Sequence, residues 1–327
     1  MSSEAFADAI VAAVRAEGLL AGAEVLVLLS GGRDSTCLLD IAVRVAGAGR
    51  VQALHVDYGL RAGSAADAAH CERLCRRLGV PLTVERPARP PDGNVQAWAR
   101  AERYGAADRR ARERDVGAVE CMIAVGHTAS DQVETILYRL VSSPSRRAFT
   151  GMSARRGRVV RPLLRWSRAD TTAYCEARGL GWRDDPTNAE PAYVRNRIRS
   201  ELLPLLAELH PGAEANIRAL AARLRAEGEA LDTIVDEQIL AGRTQIPLVE
   251  LRALDDGLRP LVVQRLADAV RAGAGAAGVA RRTSDVCAMG PDALLDLPSG
   301  VRARTRAGVL SFELTPPLGR QLHFEAS

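Results

Sequence analysis

Residues 25–36 read VLVLLSGGRDST, and no other stretch limits the fold as tightly. Five apolar residues run into Ser30-Gly31-Gly32-Arg33-Asp34-Ser35, and an apolar pattern resumes at Cys37-Leu38-Leu39. A short apolar run ending in a glycine turn reads as a buried strand, and the resumed pattern reads as the helix that follows it. Buried strands alternating with helices build a parallel sheet covered on both faces, which binds ligands beyond the carboxyl ends of its strands. The turn suits that position. Gly31 and Gly32 let the chain bend so that backbone N–H groups converge, Ser30 and Ser35 add hydroxyls, and the helix presents its positive end. This combination binds phosphate without a lysine. An aspartate beside phosphate would repel it unless a metal ion stood between them, so Asp34 points to Mg2+. The plainer reading is a strand-to-helix connection in which Ser30 and Asp34 only cap.

The alternation continues. Strands are expected at VQALHVD (51–57), PLTVE (81–85) and CMIAV (121–125), with RVVRPLL (158–164) as a fifth. Helices are expected to start at Ser64, with Asp67 three residues on and Gly79 as the stop, at Asn94, and after Ser167, with Asp170 in the capping-box position. From residue 212 the character changes. Ile217, Leu220, Leu224, Leu231, Ile234, Val235 and Ile239 recur at three- and four-residue steps, the mark of a long amphipathic helix. More helix follows around 258–272, and ALLDLPSGVRARTRAGVLSFEL reads as short strands joined by turns. The expected fold class is α/β: a Rossmann-like parallel sheet with helices on both faces over residues 1–211, then a smaller, mainly helical domain over 212–327.

Composition removes several chemistries. The six cysteines (37, 71, 75, 121, 175 and 287) sit singly in apolar patterns, and the C-x3-C of CERLC has no second pair to complete a zinc site. All 44 basic residues are arginine, so no side chain can form a Schiff base or a lysyl-adenylate. No apolar run approaches the roughly 18 residues needed to span a bilayer. The N-terminal stretch lacks the basic start and cleavage site of a signal peptide, so a cytoplasmic location is expected.

Further residues draw attention on their own chemistry. Asp131 and Glu134 lie three apart and face one side of the helix opening after AVGH. They suit a metal ion or an incoming amine; the alternative is a pair of first-turn acids complementing the helix dipole. His127 either positions a nucleotide or is a half-buried structural histidine, and His55 reads as packing or hydrogen bonding at the sheet edge. In RNRIR, Arg195, Arg197 and Arg199 cannot share one helical face, so at least one should point into the cleft. Arginine suits a fixed phosphate clamp; the plainer reading is salt bridges to Glu201 and Asp184. The run SRRAFTGMSARRGRVVR (145–161) fits an RNA-backbone footprint.

Residues 30–35 resemble S-G-G-x-D-S, the signature of the N-type ATP pyrophosphatases, which hold ATP by its pyrophosphate and transfer AMP. Four further stretches resemble the tRNA(Ile)-lysidine synthetases within that group. HVDYGLR (55–61) is similar to H-V-(D/N)-H-G-L-R, GNVQAWARAERY (93–104) to G-N-x-x-x-x-A-R-x-x-R-Y, and GHTASDQVET (126–135) to H-x-x-D-D-Q-x-E-T. Residues 161–206, with D-P-(S/T)-N and R-N-R-(I/L)-R, match most closely.

The resemblance implies that ATP and Mg2+ serve as cofactors and L-lysine as co-substrate, with a CAU-anticodon tRNA(Ile) as the partner, no membrane, and room for a homodimer. It implies ligation of lysine to C2 of the wobble cytidine through an adenylated intermediate. Ser30, Gly31, Gly32, Arg33, Asp34, Ser35 and His127 would bind the nucleotide, and Asp34 and Asp131 the metal. Asp34, Asp131, Glu134 and Arg195 would be catalytic, the two acids of the pair receiving the lysine ammonium and Arg195 clamping phosphate or the lysine carboxylate. Residues 212–327 would contact tRNA.

Three positions depart from the family pattern: Tyr58 for its second histidine, Ser130 for the first aspartate of D-D-Q, and Ser142-Ser143-Pro144-Ser145 for its R-G-S-G. Ser130 reads as an N-cap, and Arg33 either meets the leaving group or faces solvent. Two alternatives stand beside lysidine formation: another adenylating tRNA-modifying enzyme, or a catalytically impaired RNA-binding homologue. A zinc-dependent cytidine deaminase lacks its H-x-E and P-C-x-x-C ligands here.

Overall fold

Alternate residues of the first strand serve opposite faces of one sheet. In β1 (Val25–Leu28) every side chain is buried. Val25 and Val27 pack with Ile10, Val14, Leu38, Leu39 and Tyr174, whereas Leu26 and Leu28 pack with Ala106, Ala107 and Ala111. Each such fully buried side chain contributes about 1.5–3 kcal/mol relative to exposure. A strand buried on both faces cannot alternate with polar residues, hence the unbroken run VLVLL.

The computed structural model describes residues 2–60, 63–88, 93–117, 119–142, 148–183, 194–271 and 275–316. The chain divides into two compact units, Met1–Ala221 and Ala222–Ser327.

In the first unit β1 stands in a six-stranded sheet of order β3-β2-β1-β4-β6-β5. The other strands are β2 (Val51–Val56), β3 (Leu82–Glu85), β4 (Met122–Ala124), β5 (Arg155–Arg156) and β6 (Val159–Val160). All pairings are parallel except that of β5 with β6. Val25 faces Val51 of β2 on one side and Met122 of β4 on the other, so the strand order reverses at β1. The crevice between the ends of β1 and β4 is thus the switch point at which such sheets bind ligands.

Around the sheet lie α1 (Ser3–Ala16), α2 (Arg33–Ala46), α3 (Ser64–Leu78), α4 (Val95–Glu113), α5 (Ala129–Ser142) and α6 (Arg168–Ala177). Asn94 caps α4 by accepting from Ala97 N at 3.0 Å, and Ser167 and Asp170 form a complete capping box on α6. Buried Tyr174 of α6 donates to Asp40 of α2 at 2.6 Å and fixes the two helices together. Helix α3 starts at Ser64 and stops at Gly79 as expected, but without a side-chain cap, and Asp67 pairs with Arg183 instead. The fifth strand shrinks to Val159–Val160, because Pro162 has no N–H for the ladder.

The first unit continues through α7 (Val194–Arg197), a π-helical turn (Ile198–Leu202), α8 (Leu203–Leu209) and into α9 (Ala213–Ile234), inside which the division between units falls. The second unit combines a π-helical turn (Val235–Leu240), α10 (Leu248–Ala253), α11 (Arg259–Ala269) and α12 (Thr283–Cys287) with an antiparallel sheet of order β7-β10-β9-β8. Its strands are β7 (Gln245–Pro247), β8 (Ala293–Leu297), β9 (Val301–Arg306) and β10 (Val309–Leu314). Val262, Val263, Leu266, Val301, Ala303 and Leu310 lie in its core. Strand β7 was not foreseen, since three residues carry no readable period. No described helix is long and apolar enough to cross a membrane.

Candidate active site

The turn after β1 is held by its own hydroxyls. Ser35 Oγ donates to Gly32 O at 2.9 Å and accepts from Ser30 N at 3.2 Å, while Ser30 Oγ accepts from Gly32 N at 3.3 Å. Gly31 has φ +83° and lies against α3, where a Cβ would sit 3.2 Å from Cys71 Sγ. Gly32 has an ordinary backbone, φ −74°, at the N-cap of α2. Its lack of a side chain leaves the space over the helix N-terminus clear. Among the described residues, no protein acceptor takes the N–H of Gly31, Arg33 or Asp34. Unsatisfied N–H groups at a helix start form an anion cradle.

The loop after β4 presses on this cradle. A Cβ on Gly126 would lie 3.0 Å from Asp34 O and 3.1 Å from Ser35 N, so only glycine permits the approach. His127 Nδ1 accepts from Arg161 Nε at 3.3 Å, which places the imidazole proton on Nε2. Burial, with the charges of Arg161, Arg103 and Arg100 added, pushes His127 down to about 4 against the pull of Asp131. It is neutral at neutral pH and can donate from Nε2. His55 Nδ1 donates to Leu29 O at 2.9 Å and so steadies the strand end, in keeping with hydrogen bonding at the sheet edge.

Helix α6 links the cradle to the carboxylates. Thr171 Oγ1 donates to Asp34 Oδ1 at 2.6 Å, and Arg33 Nε reaches both Asp34 Oδ1 at 3.1 Å and Thr171 Oγ1 at 3.2 Å. Arg33 therefore turns onto α6, between the two alternatives the sequence offered. One turn earlier, Arg168 Nη2 lies 3.3 Å from Asp131 Oδ1 and 3.4 Å from Glu134 Oε1. Asp131 Oδ2 accepts from Thr128 N at 2.8 Å and Thr128 Oγ1 at 2.9 Å. Thr128 thus stands at the start of α5, and Ser130, expected as the N-cap, lies within its first turn.

The arginines of RNRIR separate. Arg199 forks onto Glu134, with Nε to Oε1 at 2.7 Å and Nη2 to Oε2 at 2.8 Å. Arg195 lies over the Tyr138 ring at 5.4 Å, and Arg197 pairs with Glu201 at 2.9 Å. Glu134 and Tyr138 are one turn apart on α5, as are Arg199 and Arg195 on the segment beside it, so the two run as matched rungs. Burial works against the Arg199 charge, but Glu134, Asp131 and Asp34 outweigh it and raise its pKa. The arginines on the carboxylates are thus Arg199 and Arg168; Arg195, expected to clamp phosphate or a substrate carboxylate, rests on an aromatic ring. A cavity of about 280 Å3 opens here, lined by Ser130, Glu134, Arg168 and Arg199 together with Leu203 and Pro204. Arg168 and Thr171 were missed in the sequence, where only their place within the RADTT helix start was visible.

Tyr58 replaces the family histidine without leaving a hole: its ring meets Trp98 edge-on at 5.7 Å, and its hydroxyl donates to Ala99 O at 2.8 Å. The loop replacing R-G-S-G (residues 143–145), the D-P-T-N stretch with Asp184, and the start of the basic run lie outside the described residues. Among the described residues, no three His, Cys, Asp or Glu side chains gather as a metal site. Burial pushes the thiols of Cys71 and Cys75 up to about 12 and that of Cys121 to about 11, so these three are protonated at neutral pH.

The glycine cradle at the switch point of the sheet lies within residues 5–206, which match the PP-loop domain family. The chain is 39% identical over 217 residues to a tRNA(Ile)-lysidine synthase from Pseudomonas aeruginosa, an alignment covering 64% of this chain and 47% of that one. It is 39% identical over 257 residues to a tRNA(Ile)-lysidine synthase from Leifsonia xyli, covering 77% of this chain and 74% of the relative. The chain belongs to the tRNA(Ile)-lysidine synthase family. It spans about half the length of the Pseudomonas relative. Among solved structures, the U34-tRNA thiolase NcsA from Methanococcus maripaludis shares the fold, with a TM-score of 0.57, 18% identity and coverage of 68% of this chain and 80% of that one.

Proposed function

We propose that this chain ligates L-lysine to C2 of the wobble cytidine of a CAU-anticodon tRNA(Ile), using ATP. The observation that carries the reading is the juxtaposition through α6 of an open N–H cradle and a cavity bearing both carboxylates and guanidinium groups. The cradle suits the β- and γ-phosphates of ATP, and a mixed-charge cavity with apolar walls suits a zwitterion with an aliphatic chain and a second cation.

In the first step cytosine O2 attacks the α-phosphorus, and the bond to the bridging oxygen breaks. Pyrophosphate departs while the N–H groups of Gly31, Arg33 and Asp34 hold its charge, and Ser30 and Ser35 keep the loop in shape. His127, neutral, donates from Nε2. In the second step the lysine ε-amine attacks C2 and AMP leaves with the C–O electron pair. Asp131 and Glu134 receive the ammonium, and Arg168 and Arg199 hold the carboxylate, the latter aligned by Glu134. Arg195 acts on phosphate from its place over Tyr138. The amine must lose its proton first, and two nearby carboxylates favour its charged form, so attack follows desolvation in the cavity.

Mg2+ would screen the phosphate charge against Asp34. Asp34 fits this role, because only Oδ1 is engaged among the described residues. Asp131 fits it less well, since Thr128 and Arg168 take both of its oxygens.

The test uses ATP, Mg2+, labelled lysine and a CAU-anticodon tRNA(Ile) transcript. Label should enter the RNA with one AMP released per lysine, and Asp34→Ala should abolish both. Pyrophosphate exchange without label would instead identify another adenylating tRNA enzyme, and no exchange at all an impaired homologue.

A further inference from the structure

Among the described residues, six arginines of the first unit, three of which act on His127, have no carboxylate partner. Arg100 and Arg103 lie 4.8 and 5.6 Å from the Tyr104 ring centre, and Arg195 stacks on Tyr138. Arg139 donates to Gly151 O at 2.6 Å, and Arg161, buried, donates to Ser153 O at 2.8 Å. Arg156 is exposed on β5. Among the described residues none of the six forms an ion pair, whereas Arg158, Arg168, Arg197 and Arg199, close by in sequence, all do. Arg103 Nε is also buried without an acceptor.

Five of the six act on one another, and Arg103 joins Arg100 and Arg161 in acting on His127. Burial lowers the pKa of Arg139, and the four charges that add most to this are Arg195, Arg156, Arg100 and Arg161. Burial likewise lowers Arg161, with Arg100 and Arg156 working in the same direction. Positive charges so gathered destabilise the fold unless a counter-charge arrives from outside. We propose that Arg100, Arg103, Arg139, Arg156, Arg161 and Arg195 form the docking surface for the backbone of a single-stranded RNA loop, beside the carboxylate cavity. The inference rests on the RNA-modifying reading and assigns the RNA side of that site. A row of phosphates supplies several negative charges at fixed spacing, and guanidinium groups already lying on tyrosine rings offer flat faces to unstacked bases. An acidic peptide matches the charge but not those faces. Arg195 lies on Tyr138, one turn of α5 from Glu134, so a loop seated on the arginines would lie next to the cavity.

The test measures binding of a 17-nucleotide CAU-loop hairpin to the full chain over a salt series. Arg100→Gln and Arg156→Gln alter exposed side chains; Arg197→Gln, already paired with Glu201, is the control. Each of the two should lower the slope of log K against log salt by about 0.7, and together they should weaken binding roughly tenfold at about 0.15 M salt. The control should leave the slope unchanged. An unchanged slope in the double variant overturns the proposal, as does competition by polyglutamate as effective as that by RNA. Lysine incorporation with an unaltered slope would overturn this surface and leave the reaction standing. A lowered slope without incorporation would do the reverse.

Discussion

Both units bind arginine to carboxylate through two parallel hydrogen bonds, and the two cases differ in burial. In the first unit Arg199 forks onto Glu134, which is 4% exposed. In the second, Arg302 forks onto Asp296 and Arg304 onto Glu313, side by side on the open face of β9. Water competes freely with the second pair of forks and reaches the first only at its Arg199 end. The same geometry thus fixes a buried carboxylate in one place and decorates a surface in the other.

The largest expected break in this contrast is Glu134→Leu, which leaves Arg168 and Arg199 facing an apolar side chain. Losing one partner of a buried pair costs about 3–5 kcal/mol, and the partial exposure of Arg199 places this one near 3. All three tryptophans (98, 166 and 182) lie in the first unit, so urea unfolding followed by their fluorescence reads that unit directly. Asp296→Leu should leave the transition where it is.

A smaller effect is expected where backbones meet. Gly126→Ala drives a methyl group to within 3.0 Å of Asp34 O, which costs about 2 kcal/mol and weakens ATP binding about thirtyfold. In the second unit Gly290 has nothing within 4 Å of the corresponding position, and Gly290→Ala should not change nucleotide affinity. Equal losses from the two would mean that the close approach is not what the cradle requires.

Acid should separate the units most gently. The described histidines all belong to the first unit, and His127 is held down at about 4 from an ordinary 6.5. The unfolded chain takes up this proton first, so the stability contributed by a neutral His127 is complete above pH 6.5 and is lost as pH falls through about 4. His127→Gln should flatten the acid limb of the tryptophan-detected urea midpoint. An identical pH dependence in wild type and variant would show that other groups govern it.

These contrasts mark what could be read in advance. The cradle was legible because Ser30, Gly31, Gly32 and Ser35 are contiguous, and the main strands because burial on both faces leaves unbroken apolar runs. Arg168 and Thr171 were not legible: they meet Asp131 and Asp34 from 37 and 137 residues away, and nothing in local periodicity records such a distance. Arg199 was visible only as one of three candidates. Placing Arg199 on Glu134 and Arg195 on Tyr138 required knowing which turn of α5 lay opposite. Strand β7 takes its identity from β10, which lies more than 60 residues further on.

The matched rungs on α5 have a mechanical consequence. Glu134 and Tyr138 present two different sockets one helical pitch apart, about 5.4 Å, and each accepts arginine in its own way: one by a fork in the carboxylate plane, the other flat on a ring. A slide of one turn would carry a guanidinium off its carboxylate and leave that buried acid bare. The pair works as a vernier, permitting one alignment of the RNRIR segment along the helix and making the neighbouring alignments expensive.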